Sequence, residues 1–482
     1  MITAPGGPLR HPAFWLLAIN VAALIVFLNG PMAEKYPLAA LGILAFSFVQ
    51  IAFPACRIRA STPLCPANIV QGYFWLQMVL VTVLAAYFGY SQSLLPYLPS
   101  GEAIDRAIAI HVVLYLSFCV AYQSRARLAA RRDPRRGRGP GQSRGAAYLI
   151  LPFAALGLVG FLLAHGGIGG FLEYASSPTE ERLRAEEATT LAGAAGTFLK
   201  HFLGFAVVLA WSWWLGKRRR RPVGIVVVTA LTMLAMLVVN FNYNRGTMLG
   251  PILALGAAFS VHVWRLPFKA VILAGALVLS ASFVFGWYRS TDLEIGEVST
   301  SALADAWKGE DMVEFVQIYA SGPQMSAYLI ESLEGTFYYG KTLLPSLIYP
   351  VPVLGKPFRE ISGPVLFNEL IYGDSDSLDQ IIPMDGELYI NFHLLGVMAG
   401  GALLGCYLAW LQGKFVSAPN PAESYVWLMI ALWTVFPGSL SVASQIYVYS
   451  FWPFYVYFAV KKLRGWNGAL VGRREGAAVR YS

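Results

Sequence analysis

The chain has 482 residues, 56% of them hydrophobic and only 13% charged, with a mean hydropathy of +0.54 and a formal net charge of +9. Soluble domains carry about 25% charged residues, so this composition excludes a single water-solvated core and points to a polytopic membrane protein. Lipid and neighbouring helices then solvate the apolar surface, and the positive charge is interpretable only once it is placed along the chain.

A helix needs about 20 apolar residues to cross the hydrocarbon core. In chain order, such runs are predicted at 12–30, 37–54, 68–90, 106–123, 146–165, 198–216, 222–241, 247–264, 269–288, 386–411, 424–441 and 444–461. No small-residue cleavage site follows the first run, so no cleavable signal peptide is expected. If the N-terminus is cytosolic, every second run returns the chain to the cytosol. The basic segments CRIRASTPLC (56–65), SRARLAARRDPRRGRGPGQSR (124–144), KRRRR (217–221), RLPFK (265–269), QGKF (412–415) and the tail at 461–480 then share one side. This is the asymmetry of the positive-inside rule, and it assigns the basic charge to topology and anionic lipid headgroups rather than nucleic acid. Cys119 and Cys406 fall in apolar runs, and Cys56 and Cys65 in a cytosolic loop; neither a disulfide framework nor a metal site is read from them.

The expected fold is an all-α integral membrane bundle of about 12 transmembrane helices, with both termini cytosolic. Nine helices occupy 1–288 and enclose a small outer loop at 166–197. A large outer loop follows at 289–385, then three helices over 386–461 and a basic tail at 462–482. A long ordered loop is uncommon unless it has a function, so the candidate site is sought on the outer face.

Three features stand there. The turn NFNYNRGTMLG (240–250) sets Arg245 between two apolar runs, where it reads either as a solvated hairpin tip or as an anion contact. In the small loop, Ser177-Pro178 with Glu180 is a capping box that starts a short charged helix presenting Arg182 and Arg184, and Gly193 and Gly196 are expected to break it before the next span. The large loop opens with Arg289 at the interface and continues into an amphipathic helix over 301–320, with Leu303, Trp307, Met312, Phe315, Val316 and Tyr319 near one face. The proline-punctuated stretch 338–360 is too apolar to float in water and is expected to be re-entrant or packed on the helices, with Lys356 and Arg359 at its end. Asp374-Ser-Asp376 has the form of a metal-holding DxD pattern but is favoured as a solvated turn, so no metal is assigned. Asp385, Glu387 and His393 gather where the chain returns to the membrane, and helical spacing sets Glu387, Asn391 and His393 on adjoining faces. Ionisable groups at such depth are costly and mark functional cavities; for His393 a packing role stays equally open.

Arginines at one membrane face, beside carboxylates and a histidine, suit bidentate recognition of phosphate oxygens. On an ATP-free side the phosphate belongs to a lipid, and a lipid-linked pyrophosphate sugar carries its own leaving group. At this point the chain resembles the Wzy-type polymerases of O-antigen and related polysaccharides. NRGTMLGPILAL (244–255) is similar to that family's arginine-glycine turn opening a span. YGKTLLPSLIYPVPVLGKP (339–357) is similar to its large-loop pattern, and GELYINFHLLGVMAGGALLG (386–405) to its Glu-x-Tyr-x-Asn-Phe returning helix. The spacing of Arg182 and Gly193 is also similar. Two departures stand out: Val351 occupies a position where the pattern often has arginine, and His393 one where it usually has glycine.

The resemblance implies a GT-C-like membrane glycosyltransferase of the bacterial cytoplasmic membrane, its active site facing the periplasm. It implies undecaprenyl-pyrophosphate-linked oligosaccharide as donor and acceptor, no cofactor, membrane lipids as surroundings and a chain-length regulator as a further partner. Arg245 and Arg289 are expected on the departing pyrophosphate, with Arg182, Arg184, Lys356 and Arg359 assisting. Asp385, Glu387 and His393 are the candidate bases, and Asn391 and the tyrosine after Leu388 (Tyr389) are candidate substrate contacts. Two rivals share parts of this pattern: an O-antigen ligase transferring lipid-linked glycan to lipid A core, and a transporter or flippase for lipid-linked sugars.

Overall fold

The computed structural model describes residues 12–59, 62–92, 95–132, 147–176, 191–217, 221–241, 245–267, 269–271, 273, 275, 280, 309–320, 322–333, 335–348, 358, 361–373, 381–435 and 450–463. Among these residues the regular structure is helical and there is no strand. In chain order the first helices are α1 (Pro12–Leu28), α2 (Ala39–Ala52), α3 (Pro66–Phe88), α4 (Gly101–Arg132), α5 (Ile150–His165), α6 (Ile168–Ser176), α7 (Leu191–Leu215), α8 (Pro222–Val239) and α9 (Arg245–His262). There follow α10 (Gly309–Tyr319), α11 (Pro323–Ser332), α12 (Leu343–Ile348), α13 (Gly363–Tyr372), α14 (Met384–Val416) and α15 (Pro421–Val435), and a last helix covers 452–463.

Among the described residues, six helices are long and apolar enough to cross a membrane: α3, α4, α5 with the turn before it, α7, α8 and α14. The most apolar of them, α8, has a mean hydropathy of 2.5 while only 17% of it is buried against protein. Leu231 and Leu234 on α8, like Leu395 and Leu403 on α14, are exposed. Apolar surface of this kind on a membrane-length helix is solvated by lipid. The predicted run at 269–288 and the first half of that at 444–461 lie mostly outside the described residues.

The chain divides into two compact units. The first comprises 1–137, 259–417 and 427–445, and the second 138–258, 418–426 and 446–482. In the second, α5 and α7 pack through glycines. A Cβ at Gly157 or Gly160 would collide with the backbone at Leu203 or at Leu199 and Lys200, and one at Gly196 with the backbone of Ala164. Close backbone approach through small residues is how membrane helices associate when apolar burial gives no driving force between them. This corrects the expectation that Gly193 and Gly196 interrupt the chain, since α7 runs through both. Trp211 Nε1 donates to Thr229 Oγ1 at 3.1 Å between α7 and α8. Buried Glu423 accepts from Tyr457 Oη and Asn420 Nδ2, both at 3.0 Å, and pairs with Lys461.

In the first unit α14 lies along α4 by the same device: a Cβ on Gly401 would sit 2.5 Å from Leu114 O, and one on Gly405 would collide with Phe118 O. Helix α3 carries a π-helical segment at Leu76–Leu80. The amphipathic helix expected at 301–320 is seen at Gly309–Tyr319; residues 301–308 lie outside the described set. Its Gln317 is fully buried, accepting from Ser91 N at 2.6 Å and donating to Gly89 O at 2.9 Å, which fixes α10 to the end of α3. Met325 and Leu329 of α11, Phe367 and Ile371 of α13, Ile382, Ile390 of α14 and Leu95 are buried together in one small core. That core seats the first turn of α14.

Candidate functional site

Helix α14 starts after Pro383, whose carbonyl accepts from Glu387 N at 2.8 Å. Its first two turns, from Met384 to Asn391, are buried apart from Tyr389, with Glu387 and Asn391 fully so. Asp385 and Glu387 lie in the first turn, where the positive end of the helix dipole favours carboxylates. The helix then breaks. Phe392 (φ −139°, ψ 17°) and His393 (φ 56°, ψ −158°) leave helical geometry before it resumes. The expected clustering of Glu387, Asn391 and His393 is therefore only partly seen. Asn391 stays one turn from Glu387, donating to its carbonyl at 2.8 Å. The positive φ at 393 turns His393 out to the exposed surface, where its ring packs on Tyr389 (4.6 Å between centroids) and Phe337 (5.1 Å). Tyr389 Oη is 3.3 Å from His393 Nε2.

Asn391 ties this segment to a turn about fifty residues earlier. Its Oδ1 accepts from Gly340 N at 2.9 Å, and its Nδ2 donates to Thr342 Oγ1 at 2.6 Å as well as to Glu387 O. Both amide hydrogens are thereby engaged. A backbone bond from Tyr338 N to Ile390 O at 2.9 Å completes the knot, and burial pushes the Tyr338 phenol above its ordinary range. The start of the proline-punctuated stretch, 338–342, is thus joined to α14; residues 349–357, 359 and 360 lie outside the described set.

Asp385 makes a second cluster. One carboxylate oxygen accepts from Ser326 Oγ at 2.8 Å and from Gly386 N at 2.9 Å, and the other lies 3.1 Å from His111 Nδ1. Helices α14, α11 and α4 each supply one side chain. The opposite ring nitrogen, His111 Nε2, is buried and has no hydrogen-bond partner among the described residues. His111 and Asp385 line a small cavity together with Gln77, Met78, Thr82 and Pro323. Its volume admits about one water molecule. Gln77 and Met78 belong to the π-helical segment of α3, and such bulges recur at functional sites.

His111 and Ser326 are absent from the residues picked out in the sequence. For His111 a signal existed, an ionisable side chain within an apolar run; for Ser326 there was none. Among the described residues no group of three or more His, Cys, Asp or Glu is placed to hold a metal ion. Arg245 opens α9 in the second unit, whereas Asp385, Glu387 and His393 belong to the first. The Arg245 side chain lies outside the described set, as do Arg182, Arg184, Arg289, Lys356, Arg359, Asp374 and Asp376. The chain matches no protein-family model, no curated protein and no solved structure.

Proposed function

We propose that the protein is a polysaccharide polymerase of the bacterial cytoplasmic membrane, joining undecaprenyl-pyrophosphate-linked repeat units at the periplasmic face. The observation that carries this reading is the Asn391 knot. Two of the three stretches similar to the Wzy-type pattern, 339–357 and 386–405, are hydrogen-bonded to each other through Gly340, Thr342 and Asn391, with Tyr338 just before the first adding a bond to Ile390. The backbone at His393 adds support: φ 56° with ψ −158° is a region used almost solely by glycine, and glycine is the residue the polymerase pattern has there.

In this reading a hydroxyl at the non-reducing end of one lipid-linked unit attacks the anomeric carbon of another. Undecaprenyl pyrophosphate departs and the configuration inverts. Charge develops on the leaving phosphate, so preorganised cations act most strongly there. Arg245 and Arg289 hold it, with Arg182, Arg184, Lys356 and Arg359 assisting. Asn391 shapes the site, since its amide is committed to the knot, and Tyr389 with His393 forms an exposed aromatic surface suited to a sugar ring.

Arg245→Ala and Arg289→Ala are expected to abolish chain extension in cells while protein abundance stays unchanged, as read from polysaccharide ladders and immunoblots. Wild-type ladders from both variants would remove the pyrophosphate assignment. A null strain separates polymerase from ligase: the first leaves single-repeat caps, the second uncapped core with accumulated lipid-linked polymer.

A further inference from the structure

The geometry points to His111 as the proton acceptor of this reaction, with Asp385 as its positioning residue; the inference rests on the glycosyl-transfer reading. Asp385 accepts through Oδ1 from two donors, Ser326 Oγ and Gly386 N, a role suited to an ionised carboxylate, which has acceptors only. Its contact with His111 Nδ1 therefore fixes the proton on that nitrogen and leaves the lone pair on Nε2. Nε2 is the nitrogen without a partner among the described residues, on a residue that lines the cavity. Ser326 and the N–H of Gly386 hold the carboxylate in turn, and the Phe74 ring, 5.7 Å from the imidazole, backs it. The partner of a histidine's other nitrogen sets its tautomer and orientation, which is the arrangement a general base requires. Among the described residues lining the cavity, His111 and Asp385 are the two that titrate.

The step balances as follows. The acceptor hydroxyl oxygen forms its bond to the anomeric carbon, and the bond from that carbon to phosphate oxygen breaks. Its electron pair leaves with the pyrophosphate, and the hydroxyl proton ends on His111 Nε2. The cavity admits a water but not a sugar, so the proton reaches Nε2 across one water molecule. The resulting imidazolium lies against the Asp385 carboxylate, which offsets the cost of placing a charge at this depth. The proton then returns to solvent as the lipid pyrophosphate departs.

Two measurements on the full-length protein in lipid nanodiscs test this. In nitrogen-labelled histidine NMR, with the His111 signal assigned by its loss in His111→Gln, the wild-type protein should carry its proton on Nδ1. Asp385→Asn should move the proton to Nε2, because the introduced amide can donate to Nδ1. With a synthetic lipid-linked repeat unit, His111→Gln should extend chains at least about 100-fold more slowly than wild type, the range of general-base catalysis. Extension by the wild-type protein reports on the function itself, and the ratio of variant to wild type reports on His111. A ratio within about threefold, or a wild-type His111 with its proton on Nε2, overturns the assignment and leaves the polymerase reading standing. If His111→Gln fails to fold, the His111 signal is assigned by its persistence when the other five histidines are replaced, and the tautomer change in Asp385→Asn then decides.

Discussion

His393 is held at φ 56° and ψ −158°, where the Cβ of any residue but glycine crowds its own backbone, at a cost of about 1–3 kcal/mol. His393→Gly should therefore raise the thermal unfolding midpoint in detergent, whereas His393→Val should lower it. A midpoint falling equally in both would show that the kink is not strained. Asn391 has the opposite character, because its side chain makes three bonds and is fully buried. Asn391→Ala would leave the Gly340 N–H without its acceptor, and an orphaned buried donor costs about 1–3 kcal/mol beyond the bond itself. Faster proteolysis at 336–348 is expected with little change elsewhere; unaltered digestion there would mean the knot does not hold the turn.

At the scale of elements, glycine contacts set helix spacing in both units. Gly401 and Gly405 bring α14 against α4, and this contact delivers Asp385 to His111 from 274 residues away. Gly405→Leu would force the two backbones apart, and overpacking of this kind costs about 1–3 kcal/mol. The variant is expected to lose stability, and the His111 NMR signal should shift with it. Retention of both would show that α4 and α14 are positioned by other contacts. The helices themselves were legible in the sequence because apolar runs of membrane length need no partner to declare themselves. Their starts were set only to within a few residues: Pro66, Pro222 and Pro421 occupy the first helical turns, where the predicted runs begin at 68, 222 and 424. Other features were not readable. Nothing in INFHLLG marks a break, since the run contains neither proline nor glycine at 392–393, and Gly193 and Gly196 read as breakers because the packing of Gly196 on α5 is invisible locally. The pairing of His111 with Asp385 is a product of tertiary contact, which a periodic pattern does not encode.

For the whole molecule, the described residues hold six helices of membrane-crossing length and composition, in keeping with a polytopic membrane protein. The candidate site draws on segments far apart in the chain, α4, α11, the turn at 338–342 and the start of α14, so its chemistry depends on the first unit folding as a body. Only half of the candidate site was readable beforehand: the carboxylates and Asn391 announced themselves as polar residues at a membrane boundary, but their partners did not. The central claim is most directly tested by incubating the purified, reconstituted protein with a synthetic undecaprenyl-pyrophosphate-linked repeat unit, without nucleotide or added metal, and reading chain length by mass spectrometry. A ladder of lipid-linked oligomers that persists in EDTA is the expected result. Folded protein that leaves an authentic repeat unit unextended would contradict the polymerase assignment.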